Sequence, residues 1–146
     1  MERSSKQQVH IDAAAQTIWD LVGDPNRHPE WWPEMVETDC ADLSEGCRYR
    51  GVVKGPFGAD QHDLLIERLE DCEEVSIFCA GTGVTTRFRL ADAQGGTFVE
   101  GYFAIEPDSP GMKMIGALVG RRFMRSWLER SLDNLKRAAE RSPAAP

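Results

Sequence analysis

The sequence predicts an α+β domain in which an antiparallel sheet of about seven strands packs on one long carboxy-terminal helix, with two short helices after the first strand. Three observations support this prediction. Apolar residues alternate with polar ones in short segments between turn signals. Residues 111–140, at the carboxy-terminal end, contain no proline that would interrupt a long helix. An antiparallel sheet of this size must bury one face, and only the last helix is large enough to cover it.

The first 23 residues predict one strand and one helix. Residues 6–11 alternate polar and apolar side chains, which indicates a strand with Val9 and Ile11 on one face. Asp12 is a favourable cap for a helix over residues 13–22, because its carboxylate would accept from the free amides of the first turn. Gly23 is predicted to end this helix in a left-handed conformation.

A second helical segment is predicted over residues 24–32 and is kept short by its prolines. Asp24 precedes a proline, an order typical of a cap followed by the first helical position. Two further prolines limit the segment to a turn or two. Adjacent indoles cannot both point inward, so we expect one of Trp31 and Trp32 to lie in the core and the other to border an opening. A structural role for both is the alternative.

The middle of the chain has a period of two. Turn signals rich in glycine and acidic residues separate six further predicted strands, over residues 36–40, 47–54, 61–69, 75–80, 85–92 and 97–105. Tight turns between consecutive strands predict an antiparallel meander.

The last helix is predicted in two parts. Residues 121–141 place apolar side chains on one stripe and charged side chains on the other. The apolar residues of 111–119 point about 180° away from that stripe. Either the helix kinks near Gly120, or something else covers the first part, which we expect to be a shorter apolar helix or a mobile lid. An ordinary buried helical turn is the alternative to a lid.

Length and composition predict a single domain over residues 1–141 and a disordered tail over 142–146. No apolar run approaches the length of a membrane span, and the polar amino terminus lacks a signal-peptide core, so we expect a cytoplasmic protein. A net charge of −7 argues against a nucleic-acid partner. The sequence leaves the oligomeric state open between a monomer and a homodimer.

Four cysteines occur at positions 40, 47, 72 and 79, with six residues between the members of each pair. This spacing is neither that of a zinc site nor that of a redox pair. We expect reduced, partly buried thiols that behave as small apolar residues. The sequence therefore predicts no metal site and no cofactor.

Several segments resemble a known superfamily. They are Val9-His10-Ile11-Asp12-Ala13, Ile18-Trp19-Asp20-Leu21-Val22, Asp24-Pro25, His28-Pro29-Glu30-Trp31-Trp32-Pro33, Gln94-Gly95-Gly96-Thr97 and Leu132-Asp133-Asn134-Leu135-Lys136. Together they resemble the superfamily that joins START domains, the birch pollen allergen Bet v 1 and bacterial polyketide cyclases/dehydrases, also known as the SRPBCC family. The resemblance implies the helix-grip fold, in which a curved antiparallel sheet wraps around the last helix.

The resemblance also implies a cavity between the sheet and the last helix. Gly51 and Gly101 fall on the presumed inward faces of their strands and would leave space for a ligand; the alternative is that they mark bends of a curved sheet. The residues predicted to line the ligand site are Trp32, Tyr49, Gly51, Val53, Leu64, Ile66, Phe88, Val99, Gly101, Phe103, Ile115, Val119, Phe123 and Trp127.

Few polar residues are placed for chemistry. His62 lies on the side of Leu64 and could act as a general base, although its acidic neighbours favour an exposed position. Tyr49 is the other titratable candidate on a presumed inward face, whereas the alternation places Glu100 outward. The sequence contains no nucleophile triad, phosphate loop or paired-carboxylate signature.

The leading functional hypothesis is binding of a small hydrophobic molecule such as a lipid, a polyketide or an aromatic metabolite. The second is an enzyme of the polyketide cyclase/dehydrase or aromatase type, which requires a titratable side chain inside the cavity. The third is an interaction module that works through its surface, which a filled interior and an exposed apolar patch would favour.

Overall fold

The computed structural model describes residues 3–55, 58–106, 109 and 117–141, with only the backbone described for 3, 55, 58–59 and 117–121. Within these ranges the chain forms a strand, two short helices, six further strands and a long helix. In chain order they are β1 (Arg3–Ile11), α1 (Ala15–Val22), a 3-10 helix (Pro25–Glu30), β2 (Met35–Thr38), β3 (Arg48–Gly55), β4 (Gly58–Glu70), β5 (Glu74–Cys79), β6 (Val84–Ala93), β7 (Gly96–Ile105) and α2 (Ala117–Arg141).

The strands form one antiparallel sheet in the order β1-β7-β6-β5-β4-β3-β2. Consecutive strands from β2 to β7 are neighbours, as a meander requires, and β1 pairs with β7. Irregularities between Met35 and Glu37 and between Ile66 and Arg68 interrupt the register. Such bulges bend a strand and increase its twist. The predicted α+β class and the curved sheet with its carboxy-terminal helix are confirmed.

Both ends of α1 differ from the prediction. The helix begins at Ala15, and its cap residue Ala14 makes no side-chain hydrogen bond, so the predicted cap by Asp12 is wrong. The Asp12 amide instead donates to Glu140 Oε2 at 2.9 Å, a contact between distant parts of the chain. Gly23 has φ −80°, so it is not left-handed. Glycine is needed there because a Cβ would lie 2.4 Å from the indole of Trp19.

The short helical segment after α1 is confirmed as the 3-10 helix. Asp24 caps it by accepting from the amide of Asn26 at 2.9 Å. Immediately after it, Trp31 is 1% exposed and donates through Nε1 to the carbonyl of Leu21 at 3.0 Å. Trp32 is partly buried against the core. Both rings contact the buried Phe88, at 5.1 and 5.8 Å, so the prediction that only one indole points inward is wrong.

Helix α2 begins four residues earlier than predicted and continues through Gly120 without interruption, so it does not break there. Its predicted apolar stripe is confirmed by five buried side chains, Met124, Trp127, Leu128, Leu132 and Leu135. No helix in the described part of the chain combines the length and the apolar character that a membrane crossing requires. The predicted lid before residue 117 and the predicted tail at 142–146 lie outside the described residues.

The inward face of the sheet has two parts that differ in how α2 covers them. In the described part of the chain, the backbone of α2 comes close to β1 and β7 and much less to β3, β4 and β5. We call the inward residues of β1, β6 and β7 under α2 the helix side: Val9, Ile11, Phe88, Val99, Gly101 and Phe103. We call the inward residues of β3, β4 and β5 the β3–β5 side: Tyr49, Gly51, His62, Leu64, Ile66, Ile77 and Cys79.

Candidate functional site

The helix side is closely packed. A Cβ on Gly101 would lie 3.0 Å from Leu128 Cδ2 and 3.4 Å from Phe88 Cε1. Val99 and Phe88 are fully buried, and Phe103 is 4% exposed. The space expected beside Gly101 is therefore occupied by the helix, and the prediction that this glycine leaves room for a ligand is wrong. The absent side chain lets α2 approach the sheet.

A chain of aromatic rings extends this packing across the interior. Trp32 contacts the rings of Phe88 and Trp127 at centroid distances of 5.8 and 5.2 Å, and Phe103 contacts Trp127 at 5.1 Å. At its outer end Phe123 packs edge-on against Phe103 while remaining 39% exposed. Offset and edge-to-face contacts of this kind stabilise a core beyond the area they bury.

His28 is a buried polar residue that sequence reasoning missed. It is fully buried and stacks on Trp32 at 4.8 Å with an interplanar angle of 22°. Its Nε2 lies 2.8 Å from the carbonyl of Val22, whereas its Nδ1 has no partner among the described residues. Burial lowers the pKa of His28 to about 4, so the ring is neutral at pH 7 and donates through Nε2.

On the β3–β5 side, three neighbouring strands place Tyr49, Leu64 and Cys79 side by side. Tyr49 is opposite Leu64 and Leu64 is opposite Cys79, so all three face inward. Tyr49 is 5% exposed, and its hydroxyl makes no hydrogen bond to any described residue. Burial, with a smaller contribution from neighbouring thiols, raises the pKa of Tyr49 well above its usual value. The phenol is therefore protonated and able to donate.

His62 faces the same interior. It pairs with Gly51 across β3 and β4, and it lies two residues before the inward Leu64. Its Nδ1 is 3.7 Å from Cys79 Sγ, and the side chain is half-buried, so the position is less exposed than its acidic neighbours indicated. The inward position of Cys79 follows from the alternation of β5, a signal that was present in the sequence but not used.

Gly51 does not leave an empty space beside His62. A Cβ there would meet Leu64 Cδ1 at 2.8 Å and Met35 Sδ at 3.1 Å. Both atoms are far ends of flexible side chains, as is Leu128 Cδ2 beside Gly101, so Gly51 is enclosed at least as closely as Gly101. Cys40 and Cys47 extend this region towards the sheet edge, with their sulfur atoms 3.9 Å apart, and all four cysteines are reduced.

Of the remaining candidates, one faces outward, one is partly buried on the inward face, and two lie beyond the described side chains. Glu100 pairs with Arg89 on the outward face, as the alternation predicted, so it does not meet Tyr49. Val53 is partly buried on the inward face of β3. Ile115 lies outside the described residues, as does the side chain of Val119. The ligand-binding role of the predicted lining residues stays a prediction.

The outward face carries charged grooves. Glu74 is 5% exposed and forms ion pairs with Arg68, at 2.6 Å, and with Arg89. These residues line a groove of about 420 Å³. A second groove of about 430 Å³ lies along β3, β4 and β5 and combines the charged Arg48 and Arg50 with apolar side chains.

Solved structures with the same fold extend over nearly the whole chain. A START superfamily protein from Mycobacterium smegmatis is 15% identical, with a TM-score of 0.76 and coverage of 94% of this chain and 97% of that one. An AHSA1-like protein from Aeromonas hydrophila is 19% identical, with a TM-score of 0.66 and coverage of 94% and 92%. The di-domain ARO/CYC protein BexL of the BE-7585A biosynthetic pathway is 19% identical with a TM-score of 0.68; 99% of this chain matches 51% of it.

Sequence comparison identifies the family. None of the curated protein sequences matches this chain significantly. The family model described as polyketide cyclase / dehydrase and lipid transport matches residues 2–140. Both the family and the fold fit ligand binding. The chain belongs to the polyketide cyclase / dehydrase and lipid transport family.

Proposed function

We propose that this protein binds a small, mostly apolar molecule, such as a lipid, a polyketide or an aromatic metabolite, between the sheet and α2. The binding site would lie on the β3–β5 side. Membership of a family whose description includes lipid transport supports the proposal. The observation that carries it is the unequal cover of the sheet: α2 presses on β1 and β7 and stays farther from β3, β4 and β5 in the described part of the chain.

The chemistry of the β3–β5 side is suited to an apolar ligand. Leu64, Ile66 and Ile77 are 6%, 0% and 3% exposed and form a continuous apolar surface across β4 and β5. From His62 to Ile66 in β4, and along β5, the described inward positions carry no Lys, Arg, Asp or Glu. Ligand pockets are typically lined by apolar side chains with a few polar groups that orient the ligand. Tyr49 and His62 are such polar groups.

Binding can be measured with the neutral fluorophore N-phenyl-1-naphthylamine, whose emission rises in an apolar site. We expect saturable binding to the wild-type protein. Leu64→Trp, which adds a bulky ring on the inward face of β4, should abolish it. Leu65→Trp is the matched control, because Leu65 is the next residue and faces outward.

Circular dichroism and thermal unfolding of both variants show whether each remains folded. If Leu64→Trp fails to fold, Cys79→Leu narrows the same region with a smaller change and should weaken binding. The proposal is wrong if the wild-type protein does not bind the probe, or if only the outward variant loses binding.

A second candidate function is catalysis on the bound molecule. His62 Nδ1 on β4 lies 3.7 Å from Cys79 Sγ on β5, and Tyr49 is on the neighbouring strand β3. This grouping favours the second function. An imidazole in such a place could remove a proton next to a ligand carbonyl. The test is proton–deuterium exchange at C2 of an acetoacetyl thioester, followed by NMR. Catalysis predicts accelerated exchange that His62→Gln abolishes; exchange at the buffer rate contradicts it.

A further inference from the structure

Tyr49 is a buried hydrogen-bond donor without a partner in the described part of the chain. The residue is 5% exposed, and its hydroxyl makes no hydrogen bond among the described residues. In native proteins nearly all buried polar groups have a partner, because an unpaired one loses its hydration without compensation. The hydroxyl therefore requires a partner that the described protein does not supply.

We propose that Tyr49 donates a hydrogen bond to a neutral oxygen of the bound molecule, so the ligand is an apolar molecule that carries a carbonyl or ether oxygen. This inference rests on the proposed function and specifies the ligand of the same site. A pure hydrocarbon would leave the hydroxyl unpaired. An oxygen acceptor placed beside it would satisfy it.

The surroundings of Tyr49 select a neutral acceptor over a carboxylate. Burial raises the pKa of the Tyr49 phenol, which therefore stays protonated and donates. The described inward positions of β4 from His62 to Ile66, and those of β5, hold no Lys or Arg to balance a negative charge. An uncompensated buried carboxylate is strongly unfavourable. A single neutral hydrogen bond is the interaction this site supports.

Two other buried side-chain atoms lack a hydrogen-bond partner among the described residues: Arg87 Nε, on the outward face of β6, and His28 Nδ1. The His28 ring stacks on Trp32 at 4.8 Å and meets Trp31 edge-to-face at 5.3 Å. Nδ1 of the neutral His28 ring is an acceptor, so it would match a ligand that donates a hydrogen bond, and the Trp32 indole already covers one face of the ring. Tyr49 instead lies on the β3–β5 side, from which the α2 backbone is more distant.

The test compares two probes of nearly equal shape. 2-Acetylnaphthalene has a carbonyl oxygen at the position where 2-isopropylnaphthalene has a second methyl group. The wild-type protein should bind the ketone about fivefold more tightly, the effect of one net hydrogen bond. Tyr49→Phe should remove this preference and leave the affinity for the hydrocarbon unchanged. Tyr102→Phe, a matched loss of a hydroxyl on the outward face, should preserve the preference.

Two further readouts separate a hydrogen bond from a change in packing. The carbonyl stretch of the bound ketone should appear at lower frequency in the wild-type protein than in Tyr49→Phe. The anion 2-naphthoate should bind more weakly than the ketone to both proteins.

The outcomes distinguish this inference from the proposed function. If both naphthalenes bind the wild-type protein equally and Tyr49→Phe changes nothing, the inference is overturned and the binding function stands; a buried water would then be the partner of Tyr49. If neither probe binds, the proposed function fails and the inference fails with it.

Discussion

The helix side and the β3–β5 side share one sheet and one inward direction, but the α2 backbone lies close to the first and farther from the second. On the helix side Gly101 lets Leu128 approach closely, and fully buried apolar residues such as Phe88 and Val99 fill the interior. On the β3–β5 side the inward residues include the Tyr49 phenol, which has no hydrogen-bond partner among the residues described, and the His62 imidazole, 3.7 Å from the Cys79 thiol. The comparison teaches that the last helix stabilises the fold through one part of the sheet and leaves polar groups in the other.

The largest expected effect is a loss of stability on the helix side. Leu128 is fully buried and packs over Gly101, so Leu128→Ala should lower the free energy of unfolding by about 3–4 kcal/mol, through lost burial and the cavity left behind. Urea unfolding measures the change. Leu43→Ala makes the same truncation at a side chain that is 50% exposed and should change stability much less. Equal losses in the two variants would contradict the account of a tightly packed helix side.

A pH-dependent loss of stability should arise from His28, which belongs to the aromatic packing. Its pKa is about 4 in the folded protein and near 6.5 when exposed. Between about pH 6.5 and pH 4 the unfolded chain therefore binds a proton at His28 that the folded protein does not bind. Stability should fall as the pH drops from about 6.5 to about 4, by about 3 kcal/mol from this group.

The measurement is urea unfolding at pH 7, 5.5 and 4 for the wild-type protein and His28→Gln, whose amide can still donate to the carbonyl of Val22. The difference in stability between the two proteins should shrink as the pH falls. A constant difference across this range would show that the buried ring is not kept neutral by the fold.

The smallest expected effect is a gain in the free energy of unfolding, whereas the other two are losses, so it distinguishes the two sides most sharply. Tyr49→Phe removes a buried hydroxyl that has no partner among the described residues, so the ligand-free protein should become more stable by about 1 kcal/mol. Thermal and urea unfolding measure it, with Tyr102→Phe as the outward control. A clear destabilisation by Tyr49→Phe would mean that the hydroxyl is satisfied in the free protein.

Most of the fold could be predicted because local patterns determine it. The alternation in β5 predicted residues 75–80 and the structure has Glu74–Cys79, and the predicted strand 97–105 is Gly96–Ile105. The errors arise where distant residues decide. Asp12 does not cap α1, and its amide is bound by Glu140, which is 128 positions away. Gly23 is required by the indole of Trp19 and not by a left-handed turn.

The candidate site was predictable only in part, for the same reason. Alternation correctly placed Tyr49 inward and Glu100 outward. Whether a buried hydroxyl has a hydrogen-bond partner depends on atoms from several strands, so a local sequence pattern cannot predict it. Likewise the space beside Gly101 is filled by Leu128, a residue of α2 whose depth follows from the packing of the whole helix.

The most direct test of the difference between the two sides is methyl NMR of the Ile- and Leu-labelled protein during titration with 2-acetylnaphthalene. The account predicts the largest shift changes at Leu64, Ile66 and Ile77 on the β3–β5 side. Methyl groups packed at the helix side, those of Ile11, Leu132 and Leu135, should change little. The largest changes at these last three methyl groups, or at the outward Leu65, would contradict it.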